Sequence, residues 1–514
     1  MVPIRTAVLA ASTLALALAM TSCSSGTESS SGGQNSNGTL TLGSVVLPSS
    51  YAADAAVWGN QSVYEQAVYD TLVRETPDLK IEPSLATSWS YNADKTVLTM
   101  KLRTDVKFSD GTAFNADAAA QNLTRFKNGT SSLRNYLSQM TKAEAVDAAT
   151  LRITLSEPNP ALLQYLSQAA GLQQSPKSFD APDEATNPVG SGPYILDTSK
   201  TVVGSKYVYK KNPDYWAPQD QHYNDLVINV YQTTPTQVNA VRGGQVNGLA
   251  LIDNSAVDQL KSAGYDIENW ELNVVGLLLL DRDGKLTPAM KDVRVRQAIN
   301  YAIDRDAMLK GAGQGMGTTT TQFFKPSDTA SYDKSLDSKY PYDPDKAKQL
   351  LQEAGYGNGF SVTMPQLATG STAQYDLVKQ YLGDVGINVK FVNEPANNFL
   401  ADVSGAKFSA VSALPLQADP TAWQVANFKL LPDATWNPFH TADPEVESLA
   451  KTIQTGSSTE AAAASKELNR YIVDQAWFAP WYRPLQSFVV DSNTKVTPQQ
   501  DNAYPYLWNI EPKS

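Results

Sequence analysis

Few residues in this chain are spaced for covalent chemistry. It holds one cysteine, Cys23, and two histidines, His222 and His440, in 514 residues. The histidines are far apart and no His/Cys group has metal-ligand spacing, so no resident metal is expected. A hydrolase would want a nucleophile elbow, and Gly-x-Ser-x-Gly does not occur. "GAGQGMG" at Gly311–Gly317 lacks the register of a dinucleotide loop and follows a helical stretch instead of opening one. It reads as a flexible loop. Carboxylates are plentiful, but none forms a specific acid–base pair. No catalytic residue and no cofactor is expected. The chemistry left to the chain is that of binding, and its 9 Trp and 24 Tyr suit either a core or a ligand cavity.

The lone cysteine has a distinctive setting. Arg5 is the only charge before it, and residues 6–20 are almost entirely Ala, Leu, Val, Met and small hydroxyls. That is a basic n-region and a short apolar h-region of secretory type, too short to span a bilayer. Residues 1–22 therefore read as a signal peptide. The run into Cys23 resembles a bacterial lipobox, with Met20 where Leu is usual, which implies cleavage before Cys23 and lipidation of its sulfur. Residues 23–38 then form a flexible tether, since Ser, Gly, Asn and Gln cannot bury enough apolar surface to fold. The net charge is −11 at pH 7. An acidic surface argues against nucleic acid as a partner.

The body beyond the tether is long enough for two or three domains. It alternates strand and helix signals. "TVLTMKLR" places Leu98, Met100 and Leu102 on one face, and "TLRITLSEP" does the same with Leu151, Ile153 and Leu155. "LVINVY" alternates in the same way. Asn115 is a candidate N-cap for the helix between the first two strands. Asp292 caps a helix with Val295, Ala298, Ile299, Ala302 and Ile303 as its apolar stripe. Asp343 and Pro344 open another helix, which Gly355 ends. "STAQYDLVKQYLGDVGINVKFV" is a helix, a glycine break at Gly386 and a strand. Arg294, Arg296, Asp304 and Arg305 read as a solvated or ion-paired helix face. The whole is mixed α/β in several layers.

Four motifs, in order, resemble the extracellular solute-binding proteins of family 5, the peptide, dipeptide and nickel receptors of ABC importers. They are "IEPSLATSWSYNADKTVLTMKLRTDVKFSDGTAFNADAAAQNLTRF", "NPVGSGPYIL" at Asn187–Leu196, "DVRVRQAINYAIDRDAM" and "YDPDKAKQLLQEAGY". Ser191 stands where the family signature usually has Thr. The resemblance implies a two-lobed periplasmic-binding-protein-like fold of type II, in the large class with an extra subdomain: mixed sheets flanked by helices, with the cleft between lobes. Placed on this chain, it gives lobe I as 39–70, 188–274 and 484–514, a subdomain as 71–187, and lobe II as 275–483.

It also implies a function. The expectation is a monomeric, non-enzymatic receptor, lipid-anchored on the outer face of the cell membrane or in the periplasmic space. It closes on a solute and delivers it to ABC permease subunits. Short peptides are the family's commonest solutes. Sugars, opines, aromatic compounds and metal chelates are the alternatives, and a secreted cell-surface hydrolase is the alternative of another class. In peptide-binding relatives an aspartate in a segment ending Asp-Pro pairs with the ligand's amino group. Asp419 in "QADPTAW" matches that segment, and it also has the form of an N-cap. Tyr51 and Trp58 lie where relatives bring a first-lobe loop to the ligand. Trp423 and Trp436 are candidate cleft walls or core aromatics. Asn437 is a candidate partner for a peptide backbone or a turn residue before Pro438.

Overall fold

The strand Phe478–Val490 is the axis of the molecule. Its 13 residues, FAPWYRPLQSFVV, are buried at Trp481, Phe488, Val489 and Val490. In the computed structural model, which describes residues 38–367, 372–412, 416–417 and 421–513, this strand pairs antiparallel with Gly248–Ala250, Asp266–Glu271, Asn273–Leu279 and Gly317–Thr319. The expected signal peptide, Cys23, the tether up to residue 37, and Asp419 lie outside the described residues.

These strands belong to a sheet that continues through Thr39–Ser44, Asp225–Val230, Lys206–Lys211 and Tyr194–Leu196. Thr39–Ser44 runs parallel to both Asp225–Val230 and Gly248–Ala250. The helix Thr234–Arg242 carries the chain from Asp225–Val230 across Thr39–Ser44 to Gly248–Ala250, the crossover that strands running the same way require. A second sheet is antiparallel, in the order Ala86–Tyr91, Val97–Leu102, Thr150–Leu155, Met140–Asp147. Leu98, Met100, Leu151 and Ile153 share one core with Leu123 and Phe126 of the helix Ala116–Asn128. A third, parallel pair, Phe360–Leu367 with Ile387–Glu394, packs on the helices Val293–Ala302 and Pro344–Glu353.

The helix starts obey local capping rules. Asn115, Asp292 and Asp343 each accept a backbone N–H of the first turn, at 2.9, 2.9 and 2.8 Å. Gly355 ends the third of these helices at φ 85°. The charged face expected on "DVRVRQAINYAIDR" is only partly one. Arg294 does pair with Asp292, but Arg296 and Arg305 are buried. Arg296 donates to the carbonyls of Met290, Lys291 and Gln475, and Arg305 to those of Thr320, Pro480, Asn300 and Tyr340. Carbonyl acceptors at strand and helix ends make burial of a guanidinium tolerable without a counter-ion.

Candidate functional site

A cavity of about 600 Å³ opens where the long strand meets its neighbours. Its floor is Tyr482 and Pro484–Gln486 of that strand with Leu272, Asn273 and Val275. One wall comes from Val45, Gly59, Asn60 and Ala250–Asn254, the other from Ala312–Gln314 and Gln374. Segments far apart in the chain thus converge on one space, and its size falls within the range of small-ligand sites.

The walls are rich in carboxamides. Asn254 is held in place: it donates to the Leu485 carbonyl at 2.9 Å, accepts from Ser487 at 2.6 Å, and its backbone N–H donates to Gln314 Oε1 at 2.9 Å. Among the described residues, the side chains of Asn60, Asn273, Gln374 and Gln486 meet no protein hydrogen-bond partner, and all four line the cavity. Asp253 accepts from Thr234 Oγ1 at 2.7 Å and from the Ser255 N–H at 2.8 Å. Burial pushes its carboxyl up, but those hydrogen bonds outweigh burial and hold it below the usual range.

The residues expected at the site fall elsewhere in part. Tyr51 is buried, with its hydroxyl 2.5 Å from that of Tyr209. Trp58 is buried at φ 51° against Tyr506, ring centroids 6.2 Å apart, and Gly59 and Asn60 beside it reach the cavity wall. Trp423 lines a separate cavity of about 550 Å³ with Asn135, Glu157 and Phe428. Trp436 is half-buried, and its backbone N–H donates to the Phe428 carbonyl at 2.9 Å. Asn437 is fully buried and spent inside the fold: it accepts from Arg282 at 2.8 Å and donates to the Leu430, Leu431 and Thr441 carbonyls. Asp419 lies outside the described residues, but Leu416–Gln417 just before it pair with Val274 and with Asn273 of the floor. His222 and His440 sit at the Trp508 and Pro432 carbonyls respectively. Among the described residues there is no group of three or more His, Cys, Asp or Glu placed for a metal.

Sequence reasoning missed the amides at the cavity. Gln314 carried a signal of a kind: it sits at φ 57° inside the glycine-rich loop, which forms a wall of the site.

The profile of the bacterial extracellular solute-binding proteins, family 5, matches residues 80–433. The chain belongs to this family. The glutathione-binding protein GsiB of Shigella flexneri is 32% identical over 349 residues, 66% of either chain. Its counterpart in Shigella dysenteriae is 30% identical over 454 residues, 84% of this chain and 85% of that one. The periplasmic binding protein DppA of Helicobacter pylori, solved with the peptide STSA, superposes with a TM-score of 0.78 at 23% identity, covering 93% of this chain and 98% of that one. The fold is therefore the two-lobed, type II periplasmic-binding-protein fold, and the family member is a solute-binding receptor of the ABC-importer kind, not an enzyme. Such receptors act outside the cytoplasm, and among the described residues no helix is long and apolar enough to cross a membrane.

Proposed function

We propose that this receptor captures short peptides, with Asp419 pairing to the peptide's amino terminus. The observation that carries the reading is the cavity: about 600 Å³, bordered by carboxamides, four of them without a hydrogen-bond partner among the described residues, which match the donors and acceptors of a peptide backbone. Gln417, two residues before Asp419, pairs with Asn273 of the cavity floor. A desolvated ammonium needs a carboxylate, and Asp419 supplies one. The relatives named for glutathione and for a bound peptide point to the same class of solute. Asp419→Asn preserves shape and any capping bond, because Asn caps nearly as well. Breaking a buried pair costs about 3–5 kcal/mol, so peptide affinity is expected to fall by roughly two orders of magnitude or more. Unchanged affinity in calorimetric titration would remove the amine anchor.

The cavity fits between lobes divided as 39–70, 188–274 and 484–514 against 275–483, with 71–187 as the subdomain. In that division Tyr482 and Pro484 stand at the passage between lobes, where hinge closure removes water from the solute. The receptor would be held at the membrane through Cys23. Cys23→Ala is expected to move the protein from the membrane fraction to the soluble one; retention in membranes would place the anchor elsewhere.

A further inference from the structure

The charges around the cavity restrict the solute further, on the reading that this cavity is the ligand site. Its lining contains Asp253 and no Lys, Arg or His among the described residues. One cation stands beside the site in the chain, Arg483, between the lining residues Tyr482 and Pro484. Its guanidinium is fully buried and turned to other partners. It donates to Glu271 Oε2 at 2.7 Å, to Asp337 Oδ1 and Oδ2 at 3.0 and 3.3 Å, and to the Phe324 carbonyl at 3.4 Å. Lys310 on the helix Arg305–Gly311 is exposed and is not part of the lining. Among the described lining residues the one charged group is therefore the Asp253 carboxylate, and the other polar side chains are the carboxamides of Asn60, Asn254, Asn273, Gln314, Gln374 and Gln486 and the hydroxyl of Tyr482.

We infer that the cleft selects an uncharged or cationic solute rich in amide or hydroxyl groups, and discriminates against solutes that carry several carboxylates. A carboxylate entering such a cleft loses its hydration, gains no cation and meets Asp253. Amide donors alone hold it less well than a charged partner, since charge-assisted pairs are roughly twice as strong. A peptide can satisfy the site by its amine and backbone, with its carboxyl terminus neutralised or held outside. Glutathione, with two carboxylates, is the wrong charge type, so this chain differs in specificity from the relatives named for that ligand.

The test uses the mature protein and four probes in calorimetry and thermal melts: Ala-Ala-Ala-amide, Ala-Ala-Ala with a free carboxylate, reduced glutathione, and cellobiose. A binding solute raises the melting temperature. The amide is expected to bind at least about tenfold more tightly than the free acid, with no shift from glutathione. Gln374→Arg, which adds a cation to the wall, is expected to narrow the gap between amide and acid. Equal or tighter binding of the free acid, or binding of glutathione, overturns the inference while leaving the peptide reading in place. A response to cellobiose alone sinks the peptide reading and leaves the charge rule standing. No response to any of the four overturns both.

Discussion

Glu65 shows how a single buried group sets the pH response. It lies on the helix Ser62–Val68, where its Oε1 accepts from the N–H groups of Val57 and Trp58 at 3.1 and 3.4 Å. Its other oxygen has no partner among the described residues. Burial pushes this carboxyl from 4.5 up to about 7, against the two hydrogen bonds that pull it down. The folded state thus keeps a proton that the unfolded chain releases above the usual carboxylate range. The stability this contributes is complete at low pH and is lost as pH rises through about 7. Asp70 has the same sign, pushed up to about 6 by burial despite bonds from Trp216, Ser191 and Tyr215. Glu65→Gln keeps the acceptor and removes the charge. At pH 8 the variant is expected to be more stable than the parent by on the order of 2–3 kcal/mol, since each pKa unit is worth about 1.4. At pH 4 the two are expected to coincide. Denaturant melts at both pH values decide it: an equal offset at both would mean that packing, not the proton, is responsible.

At the scale of elements, the signature Asn187–Leu196 is a piece of masonry. Gly192 donates its N–H to the Val68 carbonyl at 3.0 Å, and a Cβ there would lie 2.4 Å from the Val68 carbonyl carbon. Ser191 donates to Asp70 at 2.8 Å. The segment locks the helix Ser62–Val68 to the strand Tyr194–Leu196 and never reaches the cavity. Gly192→Ala is expected to cost about 3 kcal/mol or more, as overpacking against rigid backbone does. Gly383→Ala is the contrasting case: it lies inside the helix Ala373–Asp384 with open space around its Cβ position, so a gain of about 0.5–1 kcal/mol is expected. Thermal melts giving both the same sign would refute the steric account. The same contrast explains what the sequence reveals. Asn115, Asp292 and Asp343 were readable as caps because capping is settled within one turn of chain. Arg296 and Arg305 depart from the expected solvated face because the carbonyls that hold them, at Gln475, Thr320 and Pro480, come from distant segments. The cavity amides escaped for the same reason. Asn60, Asn273, Gln374 and Gln486 have nothing in common until the sheet assembles, whereas the tryptophans that drew notice are large and mostly go to the core.

At the scale of the molecule, an aromatic cluster joins the segment around the second sheet to the segment around Trp423. Phe428 meets Tyr136 and Tyr165 edge-on, with centroids 5.8 and 6.4 Å apart, while those two tyrosines stack at 4.0 Å. Gln454 donates to the Pro158 carbonyl at 2.9 Å and Lys95 to that of Gly456 at 3.2 Å, which extends the seam. Phe428 lies in a π-helical turn, Ala426–Leu430, a form of helix often found where function constrains the backbone. In the proposed division this seam joins the subdomain to lobe II, so lobe opening is expected to break it. None of its residues borders the 600 Å³ cavity. Phe428→Ala should therefore act on closure without touching solute contacts. Each aromatic pair contributes about 0.5–1.5 kcal/mol beyond its buried area, so the solute's Kd is expected to rise roughly tenfold. Small-angle scattering should show a larger radius for the unliganded variant than for the parent, with the two converging at saturating solute. A weaker Kd with identical radii would mean that Phe428 acts through stability alone. An unchanged Kd would show that the seam carries none of the closure energy.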